Sequence, residues 1–260
     1  MTQPDAPRAA PLCGKRVVIT RPASQAGRLA QLVREAGGEP LCVPAIEILP
    51  LEDPAPFHAL ARRLEEFDLA IFVSRNAVRS ALELLAGRTW PARLKVATVG
   101  QGSREELERA GFKDIIAPAA QSDSEALLAL PALADVRGRR VAIFRGDGGR
   151  QLLGDELGKR GALVEYAACY RRVRPAGEGL AALWARGVDA VALSSAEGLS
   201  NFIDMLGDGA IAKLASVALF VPHERVAREA ERRGLAGAVV AGPRDAQVAA
   251  ALVAYFGGAR

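Results

Sequence analysis

The 260-residue chain lacks any apolar run long enough to cross a bilayer; stretches such as Val191–Leu193 and Val217–Val221 are typical. Cysteine is scarce. Cys13, Cys42 and Cys169 form no CxxC pair and no metal-ligand spacing, which excludes a disulfide framework and a zinc site. A reduced, cytoplasmic compartment is the expectation. Histidine is limited to His58 and His223, and aromatics make up 5%. With no long Lys/Arg run and a net charge of only +4, the footprint of a nucleic-acid binder is missing. The GxGxxG and GxxxxGK[ST] phosphate fingerprints and the GxSxG nucleophile turn are absent too. Met1–Leu12 carries Pro4, Asp5, Pro7 and Pro11 but no apolar core, so residues 1–13 read as a disordered leader rather than a signal peptide.

What is present is a chain 50% hydrophobic and 25% charged, enough for a packed core. Short apolar strands alternate with amphipathic helical stretches. Strands are expected at Arg16–Thr20, Pro40–Val43, Leu69–Val73, Val96–Val99, Asp114–Ile116, Val141–Phe144, Leu163–Glu165, Ala190–Leu193, Val217–Val221 and Ala238–Val240. The first helix spans Gln25–Ala36 and stops at Gly37-Gly38. Strands separated by single helices imply parallel sheets covered on both faces.

The pattern is duplicated. FDLAIFVSRNAV (Phe67–Val78) matches VDAVALSSAEGL (Val188–Leu199), pairing Asp68 with Asp189 and Ser74 with Ser195 at an offset of 121 (189−68, 195−74). Lys95–Leu107 matches Ser216–Arg228 at the same offset (217−96). Lys15–Pro40 matches Arg139–Val164 at an offset of 124, pairing Arg21 with Arg145. The order of these pieces places one copy inside the other. The expected fold is therefore α/β, with two flavodoxin-like parallel-sheet domains. The discontinuous one comprises residues 14–45 and 174–260, and the inserted one residues 51–169. Two crossings, 44–51 and 169–175, alternate like strands and could pair as a two-stranded ribbon, leaving a cleft at the strand-to-helix loops.

Six polar strand-to-helix turns lie at those loops: Thr20–Ser24, Ser74–Ala77, Gly100–Ser103, Arg145–Arg150, Ser194–Gly198 and Pro222–Arg225. Each sets hydroxyls, guanidinium groups or backbone N–H groups at a helix N-terminus, which suits a carboxylate or phosphate. Plain helix capping is the better reading of any one of them alone; six together, on the same edge of the two sheets, favour anion binding. Arg145 and Arg150 could fork onto carboxylates. His223 is either a donor to an acidic ligand or a cap, and His58 reads as structural. Tyr170, in the second crossing, reads from spacing alone as a packing residue.

ITRP (Ile19–Pro22), FVSRNAV (Phe72–Val78), TVGQGS (Thr98–Ser103), RGDGGR (Arg145–Arg150), ACYRR (Ala168–Arg172), LSSAEGL (Leu193–Leu199) and FVPHERVA (Phe220–Ala227) together resemble the uroporphyrinogen-III synthases. The resemblance runs from about Gly14 to Phe256 and lies in order and spacing more than in any single motif. It implies cyclisation of hydroxymethylbilane, a linear polycarboxylate tetrapyrrole, with loss of water and inversion of ring D. It implies no metal or organic cofactor, and a monomer with transient contact to hydroxymethylbilane synthase. It makes Tyr170 the candidate catalytic residue, assisting departure of the hydroxyl. It places Ser74, Asn76, Ser103 and Ser195 at cleft positions of the family; with the polar turns, the expected substrate contacts are Arg21, Ser74, Asn76, Gly100, Ser103, Arg145, Gly148, Arg150, Ser194, Ser195 and His223. Where many relatives carry a G-P-x-T turn, this chain has Val221-Pro222-His223-Glu224, so no hydroxyl role passes to Glu224. The competing reading is a non-catalytic bilobal binding or regulatory module for an acidic small molecule.

Overall fold

Ten named strands and eleven α-helices fall in the residues that this computed structural model describes, 10–119, 123–149 and 151–258. They run β1 (Arg16–Ile19), α1 (Ala23–Glu35), β2 (Glu39–Cys42), β3 (Glu47–Leu49), α2 (Ala55–Ala61), β4 (Leu69–Phe72), α3 (Arg75–Leu84) and β5 (Lys95–Thr98). Next come α4 (Gln101–Arg109), α5 (Ser124–Leu128), β6 (Arg140–Gly146), α6 (Leu152–Lys159), β7 (Leu163–Val173) and α7 (Leu180–Ala185). The last are β8 (Ala190–Ala192), α8 (Ala196–Leu206), α9 (Ala210–Ala215), β9 (Ala218–Val221), α10 (Glu224–Arg232), β10 (Val239–Val240) and α11 (Asp245–Gly257). No helix among the described residues is long and apolar enough to cross a membrane.

The chain divides into two compact units, one built from the segments up to Glu47 and from Val173 onward, the other from Ile48–Arg172. The first holds the sheet β10-β9-β8-β1-β2, whose neighbours all pair in parallel. Counted along that unit, its strands lie in the order 2-1-3-4-5, the flavodoxin-like arrangement. The second unit holds β3-β7-β6-β4-β5, with a further parallel bridge from Ala97 to Ile116. Setting β6 and β7 against β1 and β2, and β4 and β5 against β8 and β9, gives the same order in a permuted chain. β3 is an addition on the outer side of β7, so the two crossing segments are neighbours within this sheet.

Period-2 alternation explains how four-residue strands suffice. In β4, Leu69 and Ile71 enter one hydrophobic cluster, while Ala70 and Phe72 enter another on the opposite face. β1 does the same, Val17 and Ile19 against Val18. A strand buried on both faces must be apolar throughout, which is the VVI and LAIF pattern. Phe72 and Phe144 stack with ring centroids 4.7 Å apart at the centre of the second unit.

The duplication extends to a polar anchor. Asp189 accepts the Arg16 N–H at 2.9 Å, and its own N–H donates to the Arg16 carbonyl at 3.0 Å. Asp68 repeats this with Arg140, at 2.8 and 2.9 Å. Each pair clips the start of one central strand, β8 or β4, to the start of its neighbour, β1 or β6.

Several sequence expectations need correction. The pairing of β5 with β9 holds at an offset of 123, not 121, because Lys95 and Ala218 occupy the same place beside Asp68 and Asp189. Two extra residues lie between β8 and β9. The strand expected at Asp114–Ile116 shrinks to the single Ile116 bridge, since Asp114 adopts a left-handed φ of +53°. The strand expected at Leu163–Glu165 extends to Val173 and takes in most of the second crossing. The leader expected at 1–13 lies outside the described residues up to position 9, but Leu12 is fully buried beside Leu29 and Val33. Its N–H bonds the Ala36 carbonyl at 2.9 Å, so packed chain begins before Gly14.

Three partly buried carboxylates shape the pH dependence of stability. The Arg63 hydrogen bond, with Arg140 beside it, holds Glu165 below its ordinary value against the opposing effect of burial. Burial would raise Asp189 and Glu106. For Asp189 the Arg16 N–H and the Lys15 ammonium outweigh it, and for Glu106 the Arg79 and Arg109 guanidinium groups do. Depressed carboxylates contribute stability that is complete above their unfolded values of about 4 and is lost as pH falls through the folded values. The urea midpoint should therefore be lower at pH 3 than at pH 7, with Asp189→Asn shrinking the difference. An equal midpoint at both pH values would contradict this.

Candidate functional site

In a parallel sheet every strand points the same way, so all the strand-to-helix turns of a unit fall on one edge. In the second unit that edge carries Ser74 after β4, Gly100 after β5, Arg145–Gly148 at the end of β6 and Tyr170 on β7. Ser74 and Arg145 flank the β4/β6 boundary, the switch point at which ligands of open α/β sheets bind. In the first unit the matching edge carries Arg21 after β1, Ser194 and Ser195 after β8, and His223 after β9.

Tyr170 owes its placement to an irregularity. β6 and β7 pair residue for residue up to Arg145 with Ala168, and then Gly146 faces Tyr170. Cys169 is the extra residue of a bulge. Alternation would send Cys169 and Tyr170 to opposite faces; the bulge lets both join Ala167 in the cluster around Phe72 and Phe144. Tyr170 is only 5% exposed, which agrees with the packing role read from spacing. Its phenol is nevertheless polar at the tip, lying 3.2 Å from Ser74 Oγ. That same Oγ accepts the Ala77 N–H at 3.0 Å as the N-cap of α3. The phenol therefore sits at the positive end of a helix whose first turn, like that of α4, contains no acidic residue.

Behind the phenol, Cys169 donates its thiol to the Arg145 carbonyl at 3.0 Å, and burial pushes its pKa up to about 12. It is an inert thiol. Native protein should react with a thiol reagent at the exposed Cys13 and Cys42 but not at Cys169, which becomes reactive on denaturation. Rapid native labelling of Cys169 would show that the β6–β7 packing is open.

The turn after β6, residues 145–149, folds back on β7. The Asp147 N–H donates to the Tyr170 carbonyl at 2.9 Å, and Asp147 Oδ1 accepts the Arg172 N–H at 3.0 Å. Gly148 and Gly149 both hold left-handed φ, +68° and +96°. At Gly149 a Cβ would lie 2.9 Å from Arg145 Nη2 and 3.0 Å from Arg172 Nη2, so two guanidinium groups converge over this glycine. Arg145 also lies over the Tyr166 ring at 4.9 Å and donates to the Gly148 carbonyl. Together Arg145, Gly148 and Tyr170 line a pocket of about 220 Å³ with Ser124, Tyr166 and Arg172. These last three were not among the expected site residues. Arg172 could have been found from its place in the ACYRR motif; Ser124 and Tyr166 had no such signal.

The other expected positions fall as follows. Ser103 is 5% exposed in the first turn of α4, and Gly100 is that helix's buried N-cap. Asn76 stands partly buried in the first turn of α3. Ser195 caps α8, accepting the Gly198 N–H at 2.9 Å, with Ser194 partly buried beside it. His223 is the N-cap of α10 by position but makes no side-chain cap bond, and it is exposed. Arg21 is held inward, with 13% of its side chain exposed, donating to the Pro243 carbonyl at 2.9 Å and pairing with Asp245 at 3.2 Å. It braces the start of α11, which weakens the expectation that it reaches a ligand. Arg150 lies outside the described residues. No cluster of three or more His, Cys, Asp or Glu side chains among the described residues could hold a metal ion.

Comparison with known proteins gives one consistent result. The family model for uroporphyrinogen-III synthase HemD matches residues 27–249. The uroporphyrinogen-III synthase of Salmonella typhimurium is 34% identical over 190 residues, which span 71% of this chain and 77% of that protein. The Escherichia coli enzyme is 32% identical over 195 residues, 73% of this chain and 79% of that one. Among solved structures, a mutant uroporphyrinogen III synthase from the extreme thermophile Thermus thermophilus superimposes with a TM-score of 0.65 at 20% identity, covering 92% of this chain and 97% of the other. The Helicobacter pylori protein gives 0.61 at 16% identity, covering 93% and 99%. Those two likenesses concern the fold.

Proposed function

The chain belongs to the uroporphyrinogen-III synthase family, and from that membership we propose that it converts hydroxymethylbilane into uroporphyrinogen III through the strand edge that carries Tyr170. The observation that carries this reading is the Tyr170 phenol held at the N-terminus of α3 by Ser74, beside the paired guanidinium groups of Arg145 and Arg172.

The substrate bears acetate and propionate groups on every ring. A positive edge with guanidinium groups, hydroxyls and helix-end N–H groups is suited to such a polyanion. The reaction begins with loss of the terminal hydroxyl as water, leaving an azafulvene. Attack at the substituted carbon of ring D gives a spiro intermediate, which fragments and recloses with that ring inverted. Tyr170 assists the departing hydroxyl as a hydrogen-bond or proton donor. The remaining residues hold one conformer of the thread. Favouring one closure a hundredfold needs about 2.7 kcal/mol of differential barrier, which orientation can supply without a strong acid or base.

This reading calls for no metal and no organic cofactor. It assigns substrate contacts to Ser74, Asn76, Gly100, Ser103, Arg145, Gly148 and Arg150, and to Ser194, Ser195 and His223 on the edge of the other unit. Arg172 joins that set, and Arg21 is retained as a brace. The protein works as a cytoplasmic monomer that receives its unstable substrate from hydroxymethylbilane synthase. Fresh hydroxymethylbilane, incubated with the purified chain and oxidised for chromatography, tests the proposal. A dominant isomer III is the expected product; isomer I alone would reject the activity and leave the binding-module reading.

A further inference from the structure

The duplication supplies an internal control for a second concavity, at the edge of the second sheet opposite Tyr170. It lies between the segment leading into β5 and the turn after α4, has a volume of about 710 Å³, and is walled by Trp90 and Phe112. Those rings meet edge to face with centroids 5.0 Å apart. Arg93, Lys95 and Lys113 line it and are exposed, against the single carboxylate of Asp114. The volume falls within the range of small-molecule sites.

The other unit builds the same corner differently. Phe112 donates to the Leu107 carbonyl at 3.0 Å as Leu235 does to Ala230 at 2.9 Å, and Gly111 and Gly234 are both left-handed. The offset of 123 therefore sets Phe112 against Leu235, Lys113 against Ala236, Asp114 against Gly237 and Lys95 against Ala218. Leu235 is fully buried, and helix α9 leads into β9 with its Leu214 buried in the same cluster. Where one copy is sealed by aliphatic residues, the other has two aromatic walls and three cations. The left-handed position is glycine in the sealed copy. In the open copy it is Asp114, the one non-glycine residue with positive φ among the described residues.

We propose that this concavity binds a planar aromatic anion, stacked on one of the two perpendicular rings of Trp90 and Phe112 with the other at its edge, and neutralised by Lys95, Lys113 and Arg93. The site is separate from the Tyr170 edge, so its occupancy does not depend on the proposed reaction. Trp90 and Trp184 are the only tryptophans, so Trp184→Phe leaves Trp90 as the sole indole reporter. The probe is naphthalene-2,6-disulfonate, titrated into that variant by Trp90 emission and by calorimetry. Saturable quenching is expected, weakened about tenfold or more in the Lys95→Glu/Lys113→Glu double variant. Isomer III formation should be unchanged in that variant, because neither lysine belongs to the proposed catalytic edge. Absence of saturable quenching would overturn the proposal. So would equal affinity in the charge-reversed variant with its thermal transition intact, or competition by hydroxymethylbilane that places the probe at the other edge.

Discussion

Tyr170→Phe is expected to slow turnover by about 10²- to 10⁴-fold, the usual contribution of a positioned proton donor. The geometry makes this substitution unusually clean. The ring is packed against Phe144 and Cys169 in the second unit's core, and phenylalanine keeps those contacts. Ser74 Oγ loses one partner but still accepts the Ala77 N–H, so α3 stays capped. The stability cost should therefore stay modest, about 1 kcal/mol for each hydrogen bond lost. Since a phenol is a weak acid at neutral pH, its value lies in placement rather than strength. A variant with full turnover and a full yield of isomer III would remove Tyr170 from the mechanism.

The second large effect is expected at Gly146, which never touches substrate in this account. A Cβ there would stand 2.7 Å from Tyr170 Cε2 and 2.9 Å from Cζ, both nearer than van der Waals contact allows. The ring must move, and with it the 3.2 Å contact to Ser74. Overpacking of this kind costs about 1–3 kcal/mol. Passed into the placement of the phenol, it corresponds to a kcat loss of about ten- to a hundredfold for Gly146→Ala. A double-mutant cycle separates positioning from general damage. In the Tyr170→Phe background, Gly146→Ala should still lower the thermal transition but should cost little further kcat. A full multiplicative loss in that background would mean that Gly146 acts by some route other than the phenol.

These two residues also mark where the sequence stopped being informative. The α/β class, the duplication and the six turns follow from period-2 apolar runs and helix-start residues, and the strand-to-helix turns are local features. Ser74 and Ser195 were readable as caps, and the structure makes both of them caps. The β6–β7 bulge was not readable, because it depends on the register between two strands rather than on either strand alone. Without it, alternation turns Tyr170 away from Ser74. The convergence of Arg145 and Arg172 over Gly149 was hidden for the same reason: it needs the turn after β6 and the end of β7 brought together. Arg21 shows the opposite failure. Its repeat partner Arg145 lines a pocket, whereas Arg21 is drawn to Asp245 on α11, 224 positions further along (245−21). The two-residue slip between the copies at β5 and β9 arose because apolar strands align almost equally well in neighbouring registers.

The most direct test measures the isomer ratio with protein that has been dialysed against chelator and supplied with nothing but fresh hydroxymethylbilane. Wild-type protein should release isomer III in large excess over I, and Tyr170→Phe should return most of the flux to I, the product of unassisted closure. If the untreated and stripped wild-type proteins both yield only isomer I, this chain does not direct ring inversion, whatever its family.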